Sequence, residues 1–147
     1  VHQTGAKDQA QVADAYEKAE MDAEVKSFFH DMASRYSRAD LVVCRAGATT
    51  VAELTALGKP ALFIPYPFAA DNHQEHNARA LVDHGAAQMV LERELTGVDL
   101  ARRLDTLADA PDLLATMASR SRRLGKPDAA RSIVDDCYQL VGNSPCI

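Results

Sequence analysis

Two stretches carry residue types that could do chemistry. The first is Arg45-Ala46-Gly47-Ala48-Thr49-Thr50-Val51-Ala52-Glu53. Gly47 permits a tight turn and a close backbone approach. A helix that follows such a turn offers unpaired N–H groups and the positive end of its dipole, which together make a phosphate cradle. Thr49 and Thr50 add hydroxyl donors. Many α/β turns look alike, so an ordinary connection explains the stretch equally well. Glu53 has two readings. Thr50-x-x-Glu53 has the form of a capping box, in which the carboxylate accepts a backbone N–H at the helix start. A carboxylate one turn into a phosphate-binding helix is also placed to accept hydrogen bonds from a vicinal diol, as an acidic residue does for a ribose in dinucleotide folds.

The second stretch is Asp71-Asn72-His73-Gln74-Glu75-His76-Asn77. Asp71-x-x-Gln74 again fits a capping box. The stretch holds more amide and imidazole than a cap requires, and neutral side chains that both donate and accept suit sugar hydroxyls. His73 and His76 could share a helix face, but no third ligand lies close in sequence, and no metal is assigned. The chain has no nucleophile elbow, P-loop or GxGxxG.

These residues need elements to hold them. Apolar runs alternate with helical patterns. A strand end at Val1-His2-Gln3-Thr4 turns at Gly5. Asp8–Ala19 reads as a helix with Val12, Ala15, Tyr16 and Ala19 inward. Ala23–Phe29 reads as a strand, His30–Ala39 as a short helix, and Leu41–Cys44 as a continuous apolar strand buried on both faces. A helix over Thr50–Leu57 stops at Gly58, and a strand over Ala61–Ile64 ends in Pro65 and Pro67. A helix over Asn72–His84, a strand over Ala87–Leu91, and helices over Thr96–Ala108, Asp112–Leu124 and Asp128–Val141 complete the order, with residues 142–147 as a tail. Such alternation predicts an α/β fold with a doubly wound parallel sheet, whose ligands sit at the carboxyl ends of the strands. That rule selects the loops after Phe28, Arg45, Pro65 and Leu91.

Composition narrows the function classes. The 147 residues are 47% hydrophobic with a formal net charge of −5, enough for one compact domain and without the basic footprint of a nucleic-acid binder. The densest basic cluster, Arg120, Arg122 and Arg123, reads as a solvated helix face. Three cysteines, Cys44, Cys137 and Cys146, give no disulfide framework, and Cys44 reads as a small core residue. No apolar run is long enough to cross a membrane. With no initiator Met, the chain is expected to be a fragment.

The two stretches, in order and at their separations, resemble the carboxy-terminal half of the MurG family of glycosyltransferases. Gly58-Lys59-Pro60, Ala61-Leu62-Phe63-Ile64-Pro65, Phe28-Phe29-His30-Asp31-Met32 and Ala39-Asp40-Leu41-Val42-Val43-Cys44 add to the likeness, which runs from Val1 to about Val141. The resemblance implies a Rossmann-like domain, residues 1–141, of the two-domain GT-B fold. It would bind UDP-N-acetylglucosamine without a metal or other cofactor. It implies that Phe29 contacts uracil, that Ala48, Thr49 and Thr50 lie under the diphosphate, and that Val51 and Ala52 continue that motif. Glu53 would grip the ribose hydroxyls and Gln74 would read the sugar, with Gly47, His73 and Asn77 as neighbours. The implied partners are an amino-terminal domain that takes lipid I and, through it, the cytoplasmic face of the bacterial inner membrane. The family's glycine-rich GGSxGA turn and its acceptor domain are absent, and no residue here suits a general base. The expectation is therefore an isolated half, inactive alone, that serves inverting transfer of GlcNAc to lipid I. Another GT-B transferase using a UDP-sugar, or a non-catalytic donor-binding subunit that needs a partner chain, fits the same residues.

Overall fold

The computed structural model describes residues 1–142, which fall into two compact units, Val1–Arg35 and the remainder from Tyr36. The expected tail beyond Gly142, with Cys146, lies outside the described residues.

In the first unit, strands β1 (His2–Gln3) and β2 (Val25–Lys26) pair in parallel, His2 against Val25, joined by helix α1 (Gln9–Lys18). Gly5, at φ +76°, turns the chain out of β1, and its N–H reaches the Ser27 carbonyl at 3.1 Å. The strand β2 is two residues long, far shorter than the Ala23–Phe29 strand the apolar run suggests. On α1, Val12 and Tyr16 are half-buried as expected, whereas Ala15 and Ala19 are exposed. Phe29 leaves the strand and buries its ring beneath two cations. The Arg35 guanidinium lies 4.1 Å and the Lys26 ammonium 5.5 Å from its centroid. Arg35 is in turn bound by Glu24 and Asp31. Helix α2 (Met32–Arg38) carries the chain into the second unit.

There, strands β3 (Val42–Cys44), β4 (Ala61–Phe63) and β5 (Ala87–Met89) form a parallel sheet in that order, with Val42 beside Ala61 and Ala61 beside Ala87. Helices α3 (Ala48–Leu57) and α4 (His73–Val82) are the crossovers, and α5 (Gly97–Ala108), α6 (Pro111–Leu124) and α7 (Ala129–Leu140) follow. The central strand β4 is sealed on both faces: Ala61, Leu62 and Phe63 are wholly inaccessible. At the edge of this sheet, β3 is not, and Val43 is 41% exposed, contrary to the continuous burial expected of Leu41–Cys44.

The core gathers where α6 crosses α3. Leu54, Leu107 and Ser121 are fully buried, and the Ser121 hydroxyl donates to the Leu54 carbonyl at 3.5 Å. Gly125, just past α6, lets the backbones touch: a Cβ there would lie 2.4 Å from the Thr55 carbonyl oxygen. Gly58 closes α3 at φ +63°, ψ +47°, a left-handed conformation that costs other residues about 1–2 kcal/mol. The basic cluster on α6 is a solvated face, with Arg120, Arg122 and Arg123 all exposed, and two of its members also meet neighbouring backbone. Arg122 donates to the Leu57 carbonyl at 2.8 Å and caps α3, while Arg120 lies over Gly85. A cation at a helix carboxyl terminus complements the dipole, which favours the Arg122 contact with Leu57.

Candidate functional site

Helix α3 starts two residues before the sequence pattern indicates. Gly47 is its N-cap, extended at φ −64°, ψ +145°, and the first intrahelical bond joins the Val51 N–H to the Gly47 carbonyl at 2.9 Å. Glycine brings no capping side chain. The N–H groups of Ala48, Thr49 and Thr50 therefore emerge from the helix without a helical partner, at the carboxyl end of β3. The Thr50-x-x-Glu53 capping box does not form. Alanine at position 48 is an excellent helix former, so the helix extends back to the glycine and places Thr50 and Glu53 inside it. Val51 is half-buried, while Ala48, Thr49, Ala52 and Glu53 are exposed. Glu53 makes no hydrogen bond or ion pair among the described residues. Its charge nonetheless reaches Tyr36: burial raises the Tyr36 phenol above its ordinary value, Glu53 adds to the rise, and a hydrogen bond with Thr50 opposes it. Thr50 is half-buried, and the exposed hydroxyl at this helix start is that of Thr49.

The Asp71-x-x-Gln74 capping box does not form either. Ala70–Asn72 make a 3-10 turn in which Asp71 and Asn72 both take positive φ, +48° and +52°, and α4 begins at His73 with Asn72 as N-cap. Asn and Asp tolerate this region best among non-glycine residues. Freed from capping, Gln74 turns its carbonyl toward the loop and accepts the Tyr66 N–H at 3.0 Å. Its Nε2 remains as a donor. His73 Nδ1 lies 2.7 Å from the Ala70 carbonyl. A carbonyl only accepts, so Nδ1 carries the proton and Nε2 can accept. Asn77 donates from Nδ2 to the Ala46 carbonyl at 3.0 Å, pinning the peptide next to Gly47. Gly47, Ala48–Glu53, Gln74 and Asn77 thus belong to two adjoining loop–helix junctions of the second unit, joined by the Asn77–Ala46 bond.

Phe29 stands in the first unit. Its ring, 3% exposed, is not available to stack on a base. Its N–H donates to Gln3 Oε1 at 2.9 Å, which leaves the carbonyl as the group it can offer.

Three residues escape a reading by motif. Arg45 Nη1 donates to the carbonyls of Ile64 at 3.0 Å and Pro65 at 3.1 Å, and lies 2.5 Å from the Glu92 carboxylate. The guanidinium sits 5.6 Å from the Tyr66 ring centroid. The available signal was a lone arginine closing an apolar strand, where a charge must find partners. A cavity of about 90 Å³ lined by Pro65, Tyr66, Asn72, Glu75 and Glu92 lies beside this cluster. It is too small for a nucleotide-sized ligand. Among the described residues no three His, Cys, Asp or Glu side chains converge as metal ligands.

Comparison with known proteins gives this surface a family. Residues 1–133 match the glycosyltransferase family 28 C-terminal domain. The chain is similar to UDP-N-acetylglucosamine–N-acetylmuramyl-(pentapeptide) pyrophosphoryl-undecaprenol N-acetylglucosamine transferases. That of Anaeromyxobacter sp. (strain K) is 51% identical over 140 residues, 95% of this chain and 37% of that protein. That of Myxococcus xanthus (strain DK1622) is 50% identical over 141 residues, 96% of this chain and 37% of that protein. The crystal structure of Acinetobacter baumannii MurG superposes with a TM-score of 0.86 at 36% identity, covering 94% of this chain and 42% of that one. The chain spans little more than a third of the length of these transferases, and its fold is that of the carboxy-terminal part of a GT-B enzyme. With its parallel sheet, its glycine-led α3 and its match over residues 1–133, the chain belongs to the glycosyltransferase family 28 C-terminal domain family.

Proposed function

We propose that residues 1–141 form the UDP-GlcNAc-binding domain of a transferase that moves GlcNAc from UDP-GlcNAc to lipid I, yielding lipid II for peptidoglycan. The observation that carries this reading is the start of α3, where three N–H groups leave a helix whose glycine N-cap has no side chain to answer them. A diphosphate answers all three and gains from the helix dipole.

Each site residue then has a role. The N–H groups of Ala48, Thr49 and Thr50 and the Thr49 hydroxyl hold the diphosphate, with Val51 and Ala52 continuing the helix that presents them. Glu53 accepts from the ribose hydroxyls, and the Phe29 carbonyl accepts from uracil. Gln74 donates to a hydroxyl of the sugar, and His73 Nε2 stands ready to accept. Gly47 and Asn77 hold the turn in shape.

In the reaction, the C4 hydroxyl of the MurNAc of lipid I attacks the anomeric carbon, and UDP leaves with inversion. Charge grows on the diphosphate as the bond breaks, and donors already aimed at it lower the barrier. No metal is needed for that step. The acceptor site and the base that takes the C4 hydroxyl proton come from an amino-terminal domain, and that domain brings the assembly to the cytoplasmic face of the inner membrane.

Isothermal titration of this chain with UDP-GlcNAc, UDP and uridine tests the reading. UDP is expected to bind at least tenfold more tightly than uridine, because the diphosphate supplies the charge-assisted contacts. Equal affinities for UDP and uridine, or no saturable binding of either nucleotide, overturn it.

A further inference from the structure

We propose that Arg45 is a positioning residue that sets the sugar-reading end of the donor site, with Glu92 as its partner. The inference rests on the donor-binding reading above and concerns residues that make no ligand contact in it.

One guanidinium ties together the chain segments leaving all three strands of the second unit. Arg45 follows β3 directly. It donates to the carbonyls of Ile64 and Pro65, which follow β4, and pairs with Glu92, in the turn that follows β5. The peptide unit that carries the Pro65 carbonyl also carries the Tyr66 N–H, and that N–H is the group bound to Gln74 Oε1. Fixing the two carbonyls therefore fixes the direction of the Tyr66 N–H, and through it the orientation of the Gln74 amide. With its oxygen turned to Tyr66, Gln74 presents its amide NH2 as a donor. If the Tyr66 peptide turns, the amide loses the bond that sets its polarity.

The diphosphate end is held by a different bond. Asn77 pins the Ala46 carbonyl next to the N-cap glycine, and α3 is anchored through Ser121 and Arg122. Loss of the Arg45 fork should therefore disturb sugar recognition and spare diphosphate recognition. The ordinary alternative is a surface ion pair. Arg45 and Glu92 are each 47% exposed at the side chain, and such pairs act on little beyond themselves. Two carbonyls bound by one nitrogen argue against it, since an isolated pair would leave the loop untouched.

The test is the ratio of two affinities. Titrate UDP-GlcNAc and UDP into the unmodified chain, Arg45→Lys, Glu92→Gln and the double variant. Arg45→Lys keeps the charge and loses the planar fork. Its UDP-GlcNAc to UDP affinity ratio is expected to fall about fivefold, the scale of one misplaced hydrogen bond. Its UDP affinity and thermal midpoint should stay near those of the unmodified chain. Glu92→Gln should shift the ratio in the same direction by a smaller factor, and the double variant should fall no further than Arg45→Lys alone. Faster hydrogen exchange at the Tyr66 amide in Arg45→Lys would accompany the shift. An unchanged ratio, or equal weakening of both ligands, overturns the proposal while the donor-binding reading stands. If the unmodified chain binds neither ligand, the donor-binding reading falls, and this proposal with it.

Discussion

Replacing Glu53 with alanine separates a helix cap from a ribose contact. The carboxylate sits in the second turn of α3, is exposed, and bonds to nothing else among the described residues. Its removal breaks no hydrogen bond or ion pair among the described residues, and alanine is the better helix former by a few tenths of a kcal/mol at most. Folding stability is therefore expected to change by less than about 0.5 kcal/mol, a thermal shift of no more than about 3 °C. Binding should respond quite differently. A hydrogen bond to a charged acceptor is worth about 1.5–3 kcal/mol net. Losing one such bond to the ribose lowers UDP affinity about 10- to 100-fold. Calorimetric titration with UDP and thermal denaturation on the same preparation give both quantities. UDP lacking the 2′ and 3′ hydroxyls serves as control and should bind Glu53→Ala as it binds the unmodified chain. A fall in midpoint of more than about 5 °C with unchanged UDP affinity would refute the reasoning and make Glu53 structural. Equal weakening of the deoxygenated ligand would place the carboxylate somewhere other than the ribose.

Other consequences are open to measurement. Gly125→Ala drives a methyl into the Thr55 carbonyl and should cost about 1–3 kcal/mol in urea denaturation; a wild-type midpoint would deny the close approach. Burial pushes the Cys44 thiol up to about 12, so iodoacetamide at pH 8 should label exposed Cys137 quickly and Cys44 only in denaturant, as read by mass spectrometry. Comparable rates at the two would contradict the burial. Arg35 first, and Lys26 second, hold the Glu24 carboxyl at about 2. Because the folded value is depressed, the pair's contribution to stability is complete above the ordinary value of 4.5 and fades as pH falls from there through about 2. Carbon NMR titration of Glu24 should place its midpoint in that lower range, and Glu24→Gln should flatten the acid limb of the stability curve.

The sequence was a good guide wherever one residue settles a local conformation. Gly58 stops α3 in the left-handed region, as the sequence indicates. It misled where a short pattern has more than one solution. Both capping boxes were read from spacing alone, and neither forms. Gly47 cannot announce itself as an N-cap, because a cap without a side chain has no signature. Gln74 finds Tyr66 across the β4–α4 loop, a partner that pairwise spacing along a helix cannot reveal. The strand over Ala23–Phe29 was overcalled because apolar residues mark burial and not pairing, and Phe29 is buried by cations instead. Arg120, Arg122 and Arg123 are exposed as their charge suggests, though nothing in the spacing shows that Arg122 also reaches the last carbonyl of α3. The proposed donor site rests on the family resemblance, since the residues alone left Glu53 open between two roles.

The joint between α3 and α6 has a genetic consequence. A ten-residue helix is a rod about 15 Å long, and this one is clamped at its far end by Ser121, Arg122 and Gly125. Any rotation at the clamp is delivered undiminished to the N–H groups at the other end. A screen for loss of nucleotide binding should therefore return substitutions along the last turn of α6 nearly as often as substitutions in the loops facing the ligand. Variation at Leu54 and Thr55 should be tolerated only in company with changes on α6, so what is inherited at the start of α3 includes a helix packed against its far end.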